Sequence, residues 1–101
     1  MVVEFSLIPM DVGQSLSKYV AQALEVVEES GLNYRITPMG TIIEGEWDEV
    51  MDVIKQAHNG LLESAPRVYT RIVIDDRKGE GGRLDKKVAS VEQKLNRELR
   101  K

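Results

Sequence analysis

The densest run of chemically useful residues in this chain is Pro38-Met39-Gly40-Thr41-Ile42-Ile43-Glu44-Gly45-Glu46-Trp47. Pro38 fixes φ and Gly40 frees it, so the two punctuate a turn between strands. Thr41 offers a hydroxyl that both donates and accepts, and Glu44 a carboxylate that accepts. Glu44 and Glu46 share strand parity with Ile42 and lean to one face. At a ligand site one of these glutamates is an acceptor, and Trp47 is a stacking wall for a flat heterocycle. The alternatives are glutamates that are merely wet at a strand end and a tryptophan that plugs the core or anchors an interface.

Catalytic signatures are sparse by comparison. The single histidine, His58, sits mid-helix in Gln56-Ala57-His58-Asn59-Gly60, a setting that suits a structural or surface residue better than a base. There is no Gly-x-Ser-x-Gly, P-loop or dinucleotide fingerprint. Lys78-Gly79-Glu80-Gly81-Gly82 is glycine-rich but lacks phosphate-binding spacing, and reads as a flexible loop. Asp75 and Asp76 are adjacent on a strand and point to opposite faces, so they do not share a metal without a bend. The chain has no cysteine, which excludes disulfides and thiolate chemistry and fits a reducing cytoplasm. The expectation is a binding protein with no catalytic residue, metal or cofactor.

The elements that must position these residues follow from periodicity. Residues 2–8 alternate as a first strand, with Val3, Phe5 and Leu7 on one face and Glu4 and Ser6 on the other, ending at Pro9. A helix capped by Ser15 runs to about Ser30, with Leu16, Val20, Ala23, Leu24 and Val27 as its apolar stripe, and Gly31 stops it. Residues 32–37 and 41–46 are strands joined at Pro38-Met39-Gly40, hence antiparallel neighbours. A second helix starts at Trp47 or Asp48 and ends before Ala65-Pro66. Val50, Met51, Ile54, Ala57, Leu61 and Leu62 are its apolar positions. Residues 67–75 are a fourth strand, with Val68, Thr70, Ile72 and Ile74 opposite Tyr69, Arg71 and Val73. Residues 83–100 are a third helix striped by Leu84, Val88, Val91, Leu95 and Leu99. The order gives an α+β fold: a ferredoxin-like βαββαβ sandwich (an alpha-beta plait) with an additional C-terminal helix.

Composition bounds the rest. The 101 residues make one domain, 1–101, and 42% apolar with 31% charged residues is the balance of a globular chain. The start has no signal-peptide pattern and no apolar run reaches the ~20 residues of a membrane span. Residues 77–101 carry nine Lys/Arg against four Asp/Glu, whereas residues 1–76 carry five against thirteen. That opposition suits a basic tail packed on an acidic body, its own or a neighbour's. It does not suit nucleic acid, because acids interrupt the tract and no stacking aromatics lie in it. The mixed second sheet face and the stripe on the third helix both need cover, so a homo-oligomer is expected.

Several stretches taken together resemble the thiamine-binding family of small ferredoxin-like proteins. They are the strand closing on Ile8-Pro9, Ser17-Lys18-Tyr19-Val20, Pro38-Met39-Gly40-Thr41-Ile42-Ile43-Glu44-Gly45, Ala57-His58, Arg67-Val68-Tyr69-Thr70-Arg71-Ile72 and Ile74-Asp75-Asp76-Arg77. The resemblance implies a ferredoxin-like fold, a dimer of dimers (a homotetramer) and binding of thiamine or its hydroxymethylpyrimidine moiety without catalysis. The residues present suit such a ligand. Thr41 and Ser6 each donate and accept, Glu44 accepts from an amino group and neutralises a cation, Met39, Tyr19 and Trp47 can form walls, and Gly40 keeps the turn open. The expected function is a cytoplasmic carrier, buffer or sensor with no nucleic-acid or membrane partner. The alternative is a structural or regulatory oligomeric interaction module with no physiological small-molecule ligand.

Overall fold

Val3, Phe5 and Leu7 alternate with Glu4 and Ser6, and in the computed structural model the odd positions face a layer of helices while the even positions face away. Residues 1–13 and 16–79 are described; the expected N-cap Ser15 and third helix at 83–100 lie outside them. The elements are β1 (Val2–Met10), α1 (Leu16–Glu29), β2 (Asn33–Thr37), β3 (Gly40–Glu44), α2 (Trp47–Ser64) and β4 (Arg67–Asp75). They form a four-stranded antiparallel sheet in the order β2-β3-β1-β4, covered on one face by both helices, which is the ferredoxin-like arrangement.

The register assigns every strand residue to a face. Val3 pairs with Ile43 and Ile74, Phe5 with Thr41 and Ile72, and Tyr34 with Ile43, so these look toward the helices. Glu4 pairs with Ile42 and Val73, and Val2 with Glu44 and Asp75, so these look toward the open face. The core is Val3, Phe5 and Ile43 from the sheet against Val27 of α1 and Val50, Val53 and Ile54 of α2. A second cluster, Tyr19, Leu61 and Ala65, closes the other end, and Leu7 packs against both.

Local chemistry fixes the helix ends. α1 stops where Gly31 turns to φ +74°, its N–H on Glu28 O. At the start of α2, Glu49 Oε1 accepts the Glu46 N–H at 3.3 Å, and Asp48 and Glu49 complement the positive end of the helix dipole. The helices are tied by Gln22 Nε2, which donates to Gly60 O at 3.0 Å. His58 Nδ1 lies 2.6 Å from Thr70 Oγ1 and ties α2 to β4.

β1 runs two residues past the expected stop. Beyond Phe5 it has β4 as its one strand partner, since β3 pairs only with Val2 to Phe5. A strand flanked on one side tolerates Pro9, whose missing N–H would be costly between two neighbours. The first α1 stripe is also adjusted: Tyr19 and Val27 are the buried residues, while Leu16 and Val20 stay exposed.

Ile43 is fully buried at the centre of the sheet. Ile43→Ala is expected to cost about 2–5 kcal/mol, the usual range for a core cavity. Urea unfolding followed by circular dichroism measures it, and a loss under 1 kcal/mol would place Ile43 outside the cooperative core.

Candidate ligand site at the β2–β3 turn

β3 begins at Gly40, opposite the middle of β1, so the distal half of β1 has no strand beside it on that flank. The vacant flank becomes a slot. Its floor is Phe5 to Ile8 of β1, its roof Val20, Ala23, Leu24 and Val27 of α1, and its end wall the turn from Ile36 to Thr41. Its volume is about 360 Å³, within the range of small-ligand sites. Both faces of β1 contribute, because the slot opens past the edge of the shortened β3.

Hydrogen bonds make the end wall rigid. Thr37 Oγ1 donates to Gly40 O at 2.8 Å and accepts the N–H groups of Met39 at 3.2 Å and Gly40 at 3.1 Å. This is a side chain bonding its own turn, the usual job of a threonine there. Ser6 Oγ donates to Met39 O at 3.0 Å and clamps the turn to β1. Thr41 Oγ1 has no hydrogen-bond partner among the described residues. Its position on the helix-facing side of β3 puts it in the slot. Among the described residues no charged side chain lines the slot.

The seven residues singled out from the sequence therefore divide. Thr41, Ser6, Met39 and Gly40 converge on the slot. Glu44 does not: three residues from Thr41, it has the opposite parity, pairs with Val2 and Asn33 on the open face, and lies about 10–13 Å along the strand. Trp47 starts α2 beyond that same far end and is 52% exposed. Tyr19 is buried in the second core cluster, with Lys18 Nζ 5.0 Å from its ring centroid. Thr37 and the α1 wall of Val20, Ala23 and Leu24 were not among the candidates. Strand parity could have paired Thr41 with Phe5 and removed Glu44. The α1 wall carries no signal beyond its apolar stripe. Among the described residues no cluster of three or more His, Asp or Glu side chains could hold a metal, and no helix is long and apolar enough to cross a membrane.

Gly40 is the tightest point of the site. A Cβ there would lie 2.8 Å from Ser6 Oγ and 2.9 Å from Phe5 O. Gly40→Ala is expected to push the turn off β1, break the Ser6 clamp and cost about 1–3 kcal/mol as an overpacked contact. A thermal melt unchanged from the parent would show that the turn has room to spare.

The slot belongs to a chain with well-matched relatives. Residues 3–92 match the thiamine-binding protein family. The UPF0045 protein MJ1052 of Methanocaldococcus jannaschii is 37% identical over 90 residues, covering 89% of this chain and 90% of that protein. Its crystal structure superposes with a TM-score of 0.83 over 91% of this chain and 95% of its own. The UPF0045 protein Mb1933 of Mycobacterium bovis is 41% identical, covering 94% of each chain. A Thermotoga maritima structure, provisionally assigned to thiamine biosynthesis or salvage, superposes with a TM-score of 0.79 at 27% identity, covering 89% of this chain and 96% of its own. The chain belongs to the thiamine-binding protein family.

Proposed function

We propose that the protein binds thiamine or its hydroxymethylpyrimidine moiety in the β2–β3 slot without transforming it, as a cytoplasmic carrier, buffer or sensor. The observation that carries this reading is the slot itself: apolar walls, a rigid turn and one uncommitted hydroxyl, Thr41, in a member of the thiamine-binding family. A flat aminopyrimidine fits between the α1 wall and β1, with Thr41 Oγ1 hydrogen-bonding a ring nitrogen or the amino group. Met39, at the tip of the turn and 77% exposed, covers the mouth. The cationic thiazolium lies outward, because the lining carries no charge to meet it. Glu44 takes no part in direct contact.

The open sheet face supports a homo-oligomer, with a dimer of dimers as the proposed form. Tyr69 and Val73 of β4 and Ile8 of β1 are exposed there, interleaved with Glu4 and Arg71, a mixed face whose apolar side chains are of the kind that pairs with a second copy. Light scattering at micromolar concentration is expected to give about four times the 11.4 kDa chain mass; a monomer mass rejects the assembly.

Calorimetry tests the ligand. Thr41→Val keeps the shape and removes the hydroxyl, and is expected to cost about 1–3 kcal/mol, roughly a factor of 5 to 150 in affinity for both compounds. Glu44→Gln is expected to leave hydroxymethylpyrimidine binding unchanged. Absence of binding by the parent protein overturns the reading. A Glu44→Gln loss as large as that of Thr41→Val moves the site to the open face.

A further inference from the structure

The shortened β3 leaves main-chain groups of β1 without a strand to meet. Bonds between antiparallel strands fall at alternate residues, and the start of the chain shows which. The Met1 amino group donates to Gly45 O at 2.8 Å, and Gly45 N–H donates back to Met1 O at 3.1 Å. That exchange is a bonded pair of the β1–β3 register, one step beyond Val2 and Glu44. Alternation then makes Val3 with Ile43 and Phe5 with Thr41 bonded pairs as well. The odd residues of β1 therefore turn their N–H and C=O toward β3, and the even ones toward β4. Pro9 agrees with this parity. It lies opposite Val68 at an odd position, so its missing N–H is no loss to the β1–β4 ladder.

Leu7 is the next odd residue after Phe5, and there β3 has already ended. The register would bring Met39 opposite, but Met39 is at the tip of the turn, its carbonyl held by Ser6 Oγ. Among the described residues, no strand or turn group bonds the Leu7 N–H or C=O on this flank. The Leu7 side chain packs against both core clusters, while its main chain borders the slot along the vacant flank. Pro9 adds only a carbonyl, roughly 7 Å farther along the strand. This flank of β1 thus offers one N–H, with the carbonyl of the same residue beside it. Main-chain polar groups against apolar walls are rarely left unpaired.

We infer that the Leu7 main chain is the edge that selects the ligand, an inference that rests on the slot being the ligand site. It takes a flat heterocycle in which a ring nitrogen that accepts stands next to an amino group that donates, as in an aminopyrimidine. Leu7 N–H donates to the ring nitrogen, and Leu7 O accepts from the amino group. The ligand occupies the place of the missing β3 residue, and main-chain bonds hold it as they hold an added strand. Thr41 Oγ1, on the helix-facing side, is left for the remaining polar atoms of the ring. A single donor on the flank permits a single register. A ring without the amino group leaves Leu7 O unpaired, and a ring without the nitrogen leaves the N–H unpaired.

The parent protein carries the first test. Amide hydrogen exchange followed by NMR is expected to show the Leu7 N–H exchanging faster than those of Val3 and Phe5 in the free protein, although all three lie in one strand. Saturating hydroxymethylpyrimidine is expected to slow that exchange and move the Leu7 amide proton downfield. An ester in place of the Ser6–Leu7 peptide bond removes this N–H and keeps the leucine side chain. It is expected to weaken hydroxymethylpyrimidine binding roughly 5- to 150-fold by calorimetry. An analogue with hydrogen in place of the amino group is expected to bind the parent protein more weakly by a similar factor. A Leu7 amide already protected in the free protein overturns the proposal, as does full affinity in the ester protein or for the analogue. Ligand that binds and leaves the Leu7 amide unmoved overturns it too, and in each of these cases the thiamine reading stands. No binding by the parent protein overturns both.

Discussion

Gly40 lies so close to β1 that Ser6 Oγ and Phe5 O occupy the space a side chain would need. Much of the site's geometry depends on that approach. It sets β3 against β1 from Phe5 to Val2, and so fixes which residues of both strands face the helices. It also ends β3 halfway along β1. The shortfall is what opens the slot, and the Thr37 and Ser6 hydroxyls then hold the end wall in place. A longer β3 would close the sheet and remove the site. The turn is therefore the structural reason for the slot at this edge of the sheet-helix interface.

The electrostatics of the slot follow from sheet parity. Side chains alternate between faces, so the strand that places Thr41 in the slot sends Glu44 to the opposite face. The separation of about 10–13 Å along the strand is comparable to the screening length of ~10 Å at 0.1 M salt. A cation in the slot would meet the diffuse field of an acidic body, thirteen Asp/Glu against five Lys/Arg over residues 1–76. That field raises local concentration more than it selects. On the proposed reading, selection would fall to the hydroxyl and to the shape of the space lined by Val20 and Phe5.

Much of this was legible from periodicity. Alternation in residues 2–8 and 67–75 marked central β1 and its edge partner β4, and the apolar spacing in Val50, Ile54, Ala57 and Leu61 marked α2. Pro9 misled, because proline ends a strand only where both flanks are hydrogen-bonded, and the vacancy beside β1 is a tertiary fact. Tyr19 reads as a wall by its chemistry but is a core residue, since the rotation of α1 against the sheet is set by packing rather than by spacing. The convergence of Ser6, Met39, Gly40 and Thr41 needed the register, which one sequence does not contain. The separation of Glu44 from Thr41 needed only the count of three between them.

The exposed apolar residues sort by place. Among the described residues, Ile36, Met39 and Val20 line the slot, Ile72 and Ile74 lie on the helix-facing side of β4, and Tyr69, Val73 and Ile8 lie on the open face. Single exposed apolar side chains are ordinary on protein surfaces, whereas contiguous ones mark contact surfaces. The uncovered regions differ in geometry: a walled slot at the edge of β3 and the flat open face of the sheet. They differ because, among the described residues, the neighbour each lacks differs: a strand beside the distal half of β1, and a layer on the open face of the sheet.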